Sequence, residues 1–356
     1  MQGRTAIQQH HDEVQWVSFA WDLESPRSAL EPVYKNLLDT AQAAKGETEP
    51  VLKVLAEEPA LNIPLLTQWE FLATVAAVDL AAARTLEPHL DALGILREAA
   101  DAGSAIRIPE GSTWGVFAAE APNARLTATH TPSGWVLQGT KAWCSLAGQL
   151  SHAIVTAWVD DTRRGTFAID LKHPGVIVED SSQWHATGLK NIVSNPISFT
   201  DVPAHAVGEP DWYLTRPNFA AGGIGVAACW FGGAVGLFRS MLAKATHRAP
   251  DQIAHARLGL VDRHLAAAAS SFTLSAQRAE RGTVDWAEAH RTRGIAEQAC
   301  RVALAAAGES LGPAALAFDE DHSRRVADLD LYIRQHHGAR DDAALGELIL
   351  ESGHSW

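Results

Sequence analysis

Cysteine is scarce in this chain of 356 residues: there are three, Cys144, Cys229 and Cys300, odd in number and far apart. No CxxC pair occurs, which excludes a disulfide framework and a cysteine-built zinc site and leads us to expect a reducing, cytoplasmic setting. Positive charge is also in short supply. Lys and Arg total 29 against 42 Asp and Glu, for a formal net charge of −13. Phosphate binding needs clustered cations, so no nucleic-acid partner is expected. The start, MQGRTAIQQHHDEV, lacks a basic-then-apolar signal pattern. One uncharged run, FAAGGIGVAACWFGGAVGLF (219–238), has about the length of a membrane span. Six of its residues are glycine and few are Leu, Ile or Val, a composition for close packing inside a bundle rather than for lipid contact. It is expected to be a buried core helix, with no membrane association. No internal repeat or low-complexity run stands out.

What is present is ordinary for a globular protein: 47% hydrophobic and 20% charged residues, over a length that supports two or three units around a large core. The first part, to about residue 105, is helical in character. QWEFLATVAAVDLAAARTLEPHLDALGILREAADAG (68–103) is rich in Ala and Leu. Pro88 is expected to divide it into two helices and Gly103 to stop it. From 106 to about 205 the period becomes two. RLTATHT leads through PSG into GWVLQGTKAWCS as a hairpin, and AIVTAWV, GTFAIDL, GVIVED and NPISFTDV follow, for five or six antiparallel strands. Helical character returns in IAHARLGLVDRHLAAAASSFTLSAQRAE, WAEAHRTRGIAEQACRVALAAAGESLG and DHSRRVADLDLYIRQ, separated by the turns APD, RGTVD and LGP. The expectation is an α+β multidomain fold: a helical N-terminal domain (1–105), an antiparallel β-sandwich or barrel middle domain (106–210), and a C-terminal antiparallel four-helix bundle (211–356).

Several ordered segments on that architecture resemble one family. GWVLQGTKAWCSLAGQLSHAIVTAWV (134–159) looks like the middle-domain signature of the acyl-CoA dehydrogenases, GTFAIDLKHPGVIVED like the strand pair after it, and NPISFTDVPAHAVG (195–208) like the family's later strand. The resemblance implies FAD bound at the edge of the β domain against a neighbouring subunit, hence a homodimer or homotetramer. It also implies an acyl thioester or other small-molecule substrate, with electrons passed to an electron-transfer partner. Such a site needs a stacking aromatic, hydrogen-bond donors around the flavin, a cation for the pyrophosphate and a base.

On this resemblance Trp143 is the aromatic against the flavin ring and Ser145 the hydroxyl near its N5, with Cys144 between them on a strand and facing away. As a residue alone, Trp143 reads equally as a sandwich-core aromatic. VFAAEAP (116–122) stands where the family has a hydroxyl residue before Glu. Here Ala119 replaces the hydroxyl and Glu120 is kept, so backbone donors of 118–121 are left for the flavin. Arg248 matches the arginine that reaches the pyrophosphate across the subunit interface, where a planar fork can pair two oxygens. As a residue alone it is a solvated Arg at a helix end. GESLGPAA (308–315) stands in the place of a Gly-rich turn near the neighbour's cofactor.

The base is the largest departure. The family's glutamate before a glycine falls on His336 or, with one residue of slack, on His337 in YIRQHHGARDD (332–342). The alternative position, on the first bundle helix beside Arg216, holds Thr215. Three readings follow: a histidine is the base, as a pKa near 6.5 allows; the chain is a flavin-dependent monooxygenase on the same fold; or it binds flavin or acyl groups without turnover. HHGARD also fits the H-H-x-x-x-D acyltransfer pattern, but without the Gly that follows it there. No metal is expected, since adjacent side chains on a helix diverge by about 100° and no third ligand is evident. His10, His11 and His354 read as solvated.

Overall fold

The computed structural model describes residues 14–19, 32–57, 63–247 and 249–353. Among the described residues the N-terminal part holds four helices, α1 (Pro32–Ala44), α2 (Glu49–Glu57), α3 (Leu65–Val78) and α4 (Leu80–Asp101). The expected break at Pro88 lies elsewhere. Pro88 is inside α4, and the division falls at Asp79, which has extended backbone and caps α4 through its Oδ1, accepting from the Ala82 amide at 2.9 Å. A proline interior to a helix removes one ladder bond, that to the Arg84 carbonyl, and α4 is buried along most of its length, so packing holds it together.

Seven strands follow: β1 (Trp114–Phe117), β2 (Leu126–Thr131), β3 (Gly134–Lys141), β4 (His152–Trp158), β5 (Arg164–Asp170), β6 (Val176–Val178) and β7 (Ile197–Ala206). The hairpin β2–β3 forms as its PSG turn dictates. Pairings run β4–β2–β3–β7–β5 and back to β4, so five strands close a barrel, with β1 added beside β4 and β6 beside β7. Two pairings, β1 with β4 and β2 with β4, are parallel, where an antiparallel set was expected. WGVF, β1, is the strand that the sequence pattern passed over. Closure explains why β4 and β5 are buried at five of seven positions: a barrel strand wrapped by helices has no wet face.

The C-terminal part contains α5 (Trp212–Thr215), α6 (Phe219–His247), α7 (Gln252–Glu280), α8 (Trp286–Leu311), α9 (Pro313–Phe318), α10 (Glu320–Tyr332) and α11 (Ala339–Ser352). The long helices break at the expected turns, with Asp251 and Asp285 capping α7 and α8. α6 is long and apolar enough to cross a membrane by composition, yet 72% of its apolar window is buried inside the protein. Its glycines show why. A Cβ on Gly232 would lie 2.1 Å from the Ala73 carbonyl oxygen and one on Gly236 2.8 Å from that of Ala77, so α3 crosses α6 backbone to backbone. The core is continuous from the helices into the barrel; a second cluster joins Leu93, Ile95 and Leu96 of α4 to Trp114, Ile154 and Val207 of the barrel.

Candidate active site

The signature residues stand just beyond the end of β3. Lys141 is the last strand residue, and the chain then leaves the sheet through Trp143 and Leu146, both at positive φ (59° and 60°). Trp143, Cys144 and Ser145 are therefore in a turn rather than on a strand, but the expected division of faces holds. Cys144 is buried, its amide donates to the Asn195 carbonyl, and burial pushes its thiol up to about 12, which removes it from thiolate chemistry. Trp143 points outward with 60% of its surface exposed. A bulky residue in the left-handed region with an unburied indole is a costly arrangement, of the kind found at ligand sites. Beside it the Ser145 and Ser194 hydroxyls lie 2.8 Å apart, and Arg84 Nη2 donates to Ser145 Oγ at 3.1 Å.

Lys141 also fixes the neighbouring loop. Its ammonium is buried, donating to Glu120 Oε1 at 2.6 Å and to Thr156 Oγ1 at 2.9 Å. Burial pulls its pKa down, and Glu120 partly restores it. The lysine of the GTK motif thus ties the loop after β1 to the end of β3. Glu120, expected among the cofactor-binding residues, is held by Lys141 and by Arg164 at 3.5 Å. Ala119 is exposed and brings no polar side chain. Backbone groups of this loop are free to meet a ligand. Arg248 lies outside the described residues.

The two histidines part company. After α10 a short 3-10 turn, Ile333–Gln335, delivers His336 to the interior and His337 to solvent. His336 is 9% exposed; the Gly338 amide donates to its Nδ1 at 3.2 Å, so the neutral ring carries its proton on Nε2, which has no hydrogen-bond partner among the described residues. Asp341 Oδ2 is 3.8 Å from that nitrogen. The His337 side chain is 64% exposed, with Nδ1 3.1 Å from Asp341 Oδ1. Burial acts to raise the Asp341 carboxyl, but hydrogen bonds from His337 and the charges of both histidines prevail and lower it. Of the two expected bases, only His336 faces inward.

Around His336 is a polar interior that sequence reading missed. Arg84, Glu87 and Asp91 share one face of α4, at i, i+3 and i+7. Arg293 on α8 donates to the Gly223 carbonyl at 2.6 Å and the Gln335 carbonyl at 3.1 Å, and lies 4.7 Å over the Trp230 ring, anchoring the turn that carries His336. Glu87 is 7% exposed, and burial raises its pKa to about 7 despite Arg84 and Arg293. Arg216, also buried, donates to Glu98 at 2.6 Å and Asp91 at 3.2 Å. His290 adds an imidazole, 8% exposed, without a hydrogen-bond partner among the described residues and held lower in pKa chiefly by burial. The available signal was charge on a helix that must be covered: RTLEPHLD (84–91) sets Arg84, Glu87 and Asp91 at helical spacing inside an Ala- and Leu-rich run.

α10 is seated on the barrel by Asp328, whose Oδ1 accepts from the Leu189 amide, and by Gly188, where a Cβ would lie 2.0 Å from the Ala327 carbonyl oxygen. Burial raises Asp328 to about 6, against the opposing Leu189 hydrogen bond. Arg84 connects the Trp143–Ser145 turn to the charged face of α4, and its guanidinium lies 5.8 Å from the ring of Tyr332, which precedes the His336 turn.

No protein-family model matches the chain, and no curated protein matches it in sequence. Solved structures do resemble it over most of its length. Butyryl-CoA dehydrogenase from Megasphaera elsdenii superposes with a TM-score of 0.74 at 16% identity, over 90% of this chain and 99% of that one. FMN-bound TdsC from Paenibacillus sp. A11-2, a dibenzothiophene monooxygenase, gives 0.74 at 17% identity, over 90% and 96%. KijD3 in complex with FMN and dTDP-3-amino-2,3,6-trideoxy-4-keto-3-methyl-D-glucose gives 0.75 at 16% identity, over 96% and 98%. At such identities the likeness is one of fold, and the expected three-part acyl-CoA dehydrogenase architecture is the observed one.

Proposed function

We propose that the chain is a flavin-dependent oxidoreductase acting on a small molecule, its main reaction the α,β-dehydrogenation of an acyl thioester, with electrons passed to an electron-transfer partner. The observation that carries the reading is Trp143: an exposed indole on a strained turn, beside the paired hydroxyls of Ser145 and Ser194 and the guanidinium of Arg84. Those residues fit an isoalloxazine ring. Trp143 would cover its face, Ser145 would donate to its edge, and the exposed amides after β1 would meet its polar rim. The flavin, when bound, supplies the hydride acceptor. The chain's own groups orient the substrate and hold the proton that the carbon loses. FAD is the expected form, in a cytoplasmic homodimer or homotetramer.

A second reading, flavin-dependent monooxygenation with O₂, is favoured by one specific observation: no carboxylate stands at 336 or 337, where dehydrogenation on this fold needs a base. TdsC and KijD3, both crystallised with FMN, lend it weight. The purified protein is expected to be yellow, with absorbance near about 450 nm, and released cofactor identified by mass distinguishes FAD from FMN. Colourless protein that takes up neither would refute both enzyme readings. Anaerobic bleaching by an acyl-CoA supports dehydrogenation, whereas bleaching only by a reductase or NADH, then an oxygen-dependent intermediate, supports hydroxylation.

A further inference from the structure

We infer that Glu87, rather than either histidine, is the proton acceptor of this site; the inference rests on the flavin dehydrogenase reading. The protein has six buried Asp and Glu residues among those described: Glu70, Asp79, Glu87, Glu288, Glu297 and Asp328. Five are satisfied. Glu70 accepts from the Phe19 amide, Asp79 from Ala82 and Gly46, Glu288 from Ser275 and Arg278, Glu297 from Arg301, and Asp328 from Leu189. Among the described residues Glu87 accepts no hydrogen bond, and its nearest cation, Arg84 Nη1, stands 3.7 Å away. A buried carboxylate without donors is expensive, and such exceptions mark groups kept for a proton or a ligand.

Its place fits that use. Arg84, one turn before Glu87, reaches Ser145 with its other nitrogen, so a single guanidinium links the carboxyl to the hydroxyl expected at the flavin. Pro88, immediately after, has no N–H to donate to the Arg84 carbonyl on the same segment. Charged and titratable groups face Glu87 from every packed element: Arg84 and Asp91 on α4, Tyr213 on α5, Cys229 on α6, Arg293 on α8 and Tyr332 on α10. The two arginines favour its anion and burial opposes it, so the carboxyl titrates near neutrality, where a base both accepts and releases protons readily. In the step assigned here, the Cα–H bond of the thioester breaks, and its proton forms an O–H bond on Glu87. The electron pair left behind becomes the Cα=Cβ bond as the β hydrogen leaves with its pair, as hydride, for the oxidised flavin.

The test compares wild type, Glu87→Gln and Glu87→Asp, all as flavin-loaded full-length protein. Anaerobic bleaching by an acyl-CoA panel should slow by about 10²–10⁴-fold in E87Q, recover in part in E87D, and rise with pH through about 7 in wild type. A second readout needs no turnover: in infrared difference spectra between pH 6 and 8, a protonated-carboxyl band should titrate in wild type and be clearly weaker in E87Q, in which the contribution of Asp328, raised to about 6, remains. E87Q bleaching at the wild-type rate, or an unchanged band in E87Q, overturns the assignment while leaving the flavin reading intact. Yellow protein that no acyl-CoA bleaches overturns dehydrogenation and the base role together. Colourless protein ends the flavin reading itself.

Discussion

At the residue scale the decisive contrast is between Glu87 and His336. Sequence places the pair His336–His337 where a base is expected and cannot say which faces inward, because neighbours on a turn diverge by about 100°. The structure turns His336 in and His337 out, a choice made by Arg293 holding the Gln335 carbonyl from another helix. Glu87 was unreadable for the opposite reason. An Arg–x–x–Glu pair on a helix ordinarily reads as a solvated ion pair, and its burial comes from tertiary packing, among it that of α6 and α10 on α4. That burial has a consequence for stability. The folded pKa, about 7, stands above the ordinary carboxyl value of 4.5, so between those values the native state holds a proton that the unfolded chain releases. Stability therefore falls as pH rises from about 4.5 to 7 and levels off above, by up to about 3 kcal/mol. Between pH 5 and 8, urea unfolding should show a larger loss in wild type than in E87Q, where Asp328, itself raised to about 6, still contributes, making E87Q the more stable form at pH 8. Equal pH dependence in both would contradict it.

At the scale of elements, the sequence was most legible where local chemistry decides. PSG made its hairpin, and the Asp caps began α7 and α8 where the turns APD and RGTVD ended. It was least legible where tertiary contact overrides local preference. Pro88 is a strong breaker, yet α4 continues through it, and the chain divides at Asp79, whose carboxylate takes both the Ala82 and Gly46 amides. β1 was missed because its residues alternate weakly and its partner β4 lies parallel and distant in sequence. The glycines of α6 separate these two kinds of information. Composition marked the run as a close-packing helix; only the structure shows which glycines do the packing. Gly232→Ala should cost several kcal/mol, because its Cβ meets a backbone oxygen at 2.1 Å that cannot move without shifting α3. Gly259→Ala, exposed in α7 with nothing within 4 Å, should instead gain about 0.5–1 kcal/mol. Chemical unfolding of the two variants checks both; a harmless G232A would mean the α3–α6 contact is looser than described.

At the scale of the whole molecule, three segments of different character share one interior. Periodicity gave the order helical, β, helical, and the signature after β3 tied that order to a known architecture, because both depend on local pattern. What pattern could not convey is how little separates the parts. Leu93, Ile95 and Leu96 of α4 pack on Trp114, Ile154 and Val207 of the barrel, and Leu189 of the barrel donates its amide to Asp328 of α10. Removing either neighbour would expose these apolar faces to water at about 25 cal/mol per Å². Units joined by small polar contacts unfold separately, whereas units sharing a core unfold together. Thermal unfolding is therefore expected as a single transition. The helical signal in far-ultraviolet circular dichroism and the tryptophan fluorescence, which reports Trp114 and Trp158 in the barrel as well as Trp69 and Trp230 in the helices, should fall at the same midpoint. A barrel fragment spanning 106–210, lacking α4 and α10, should fail to give that transition alone. Two separated midpoints, or a fragment that folds, would show that barrel and bundle are independently stable and that the candidate site between them is a joint rather than a core.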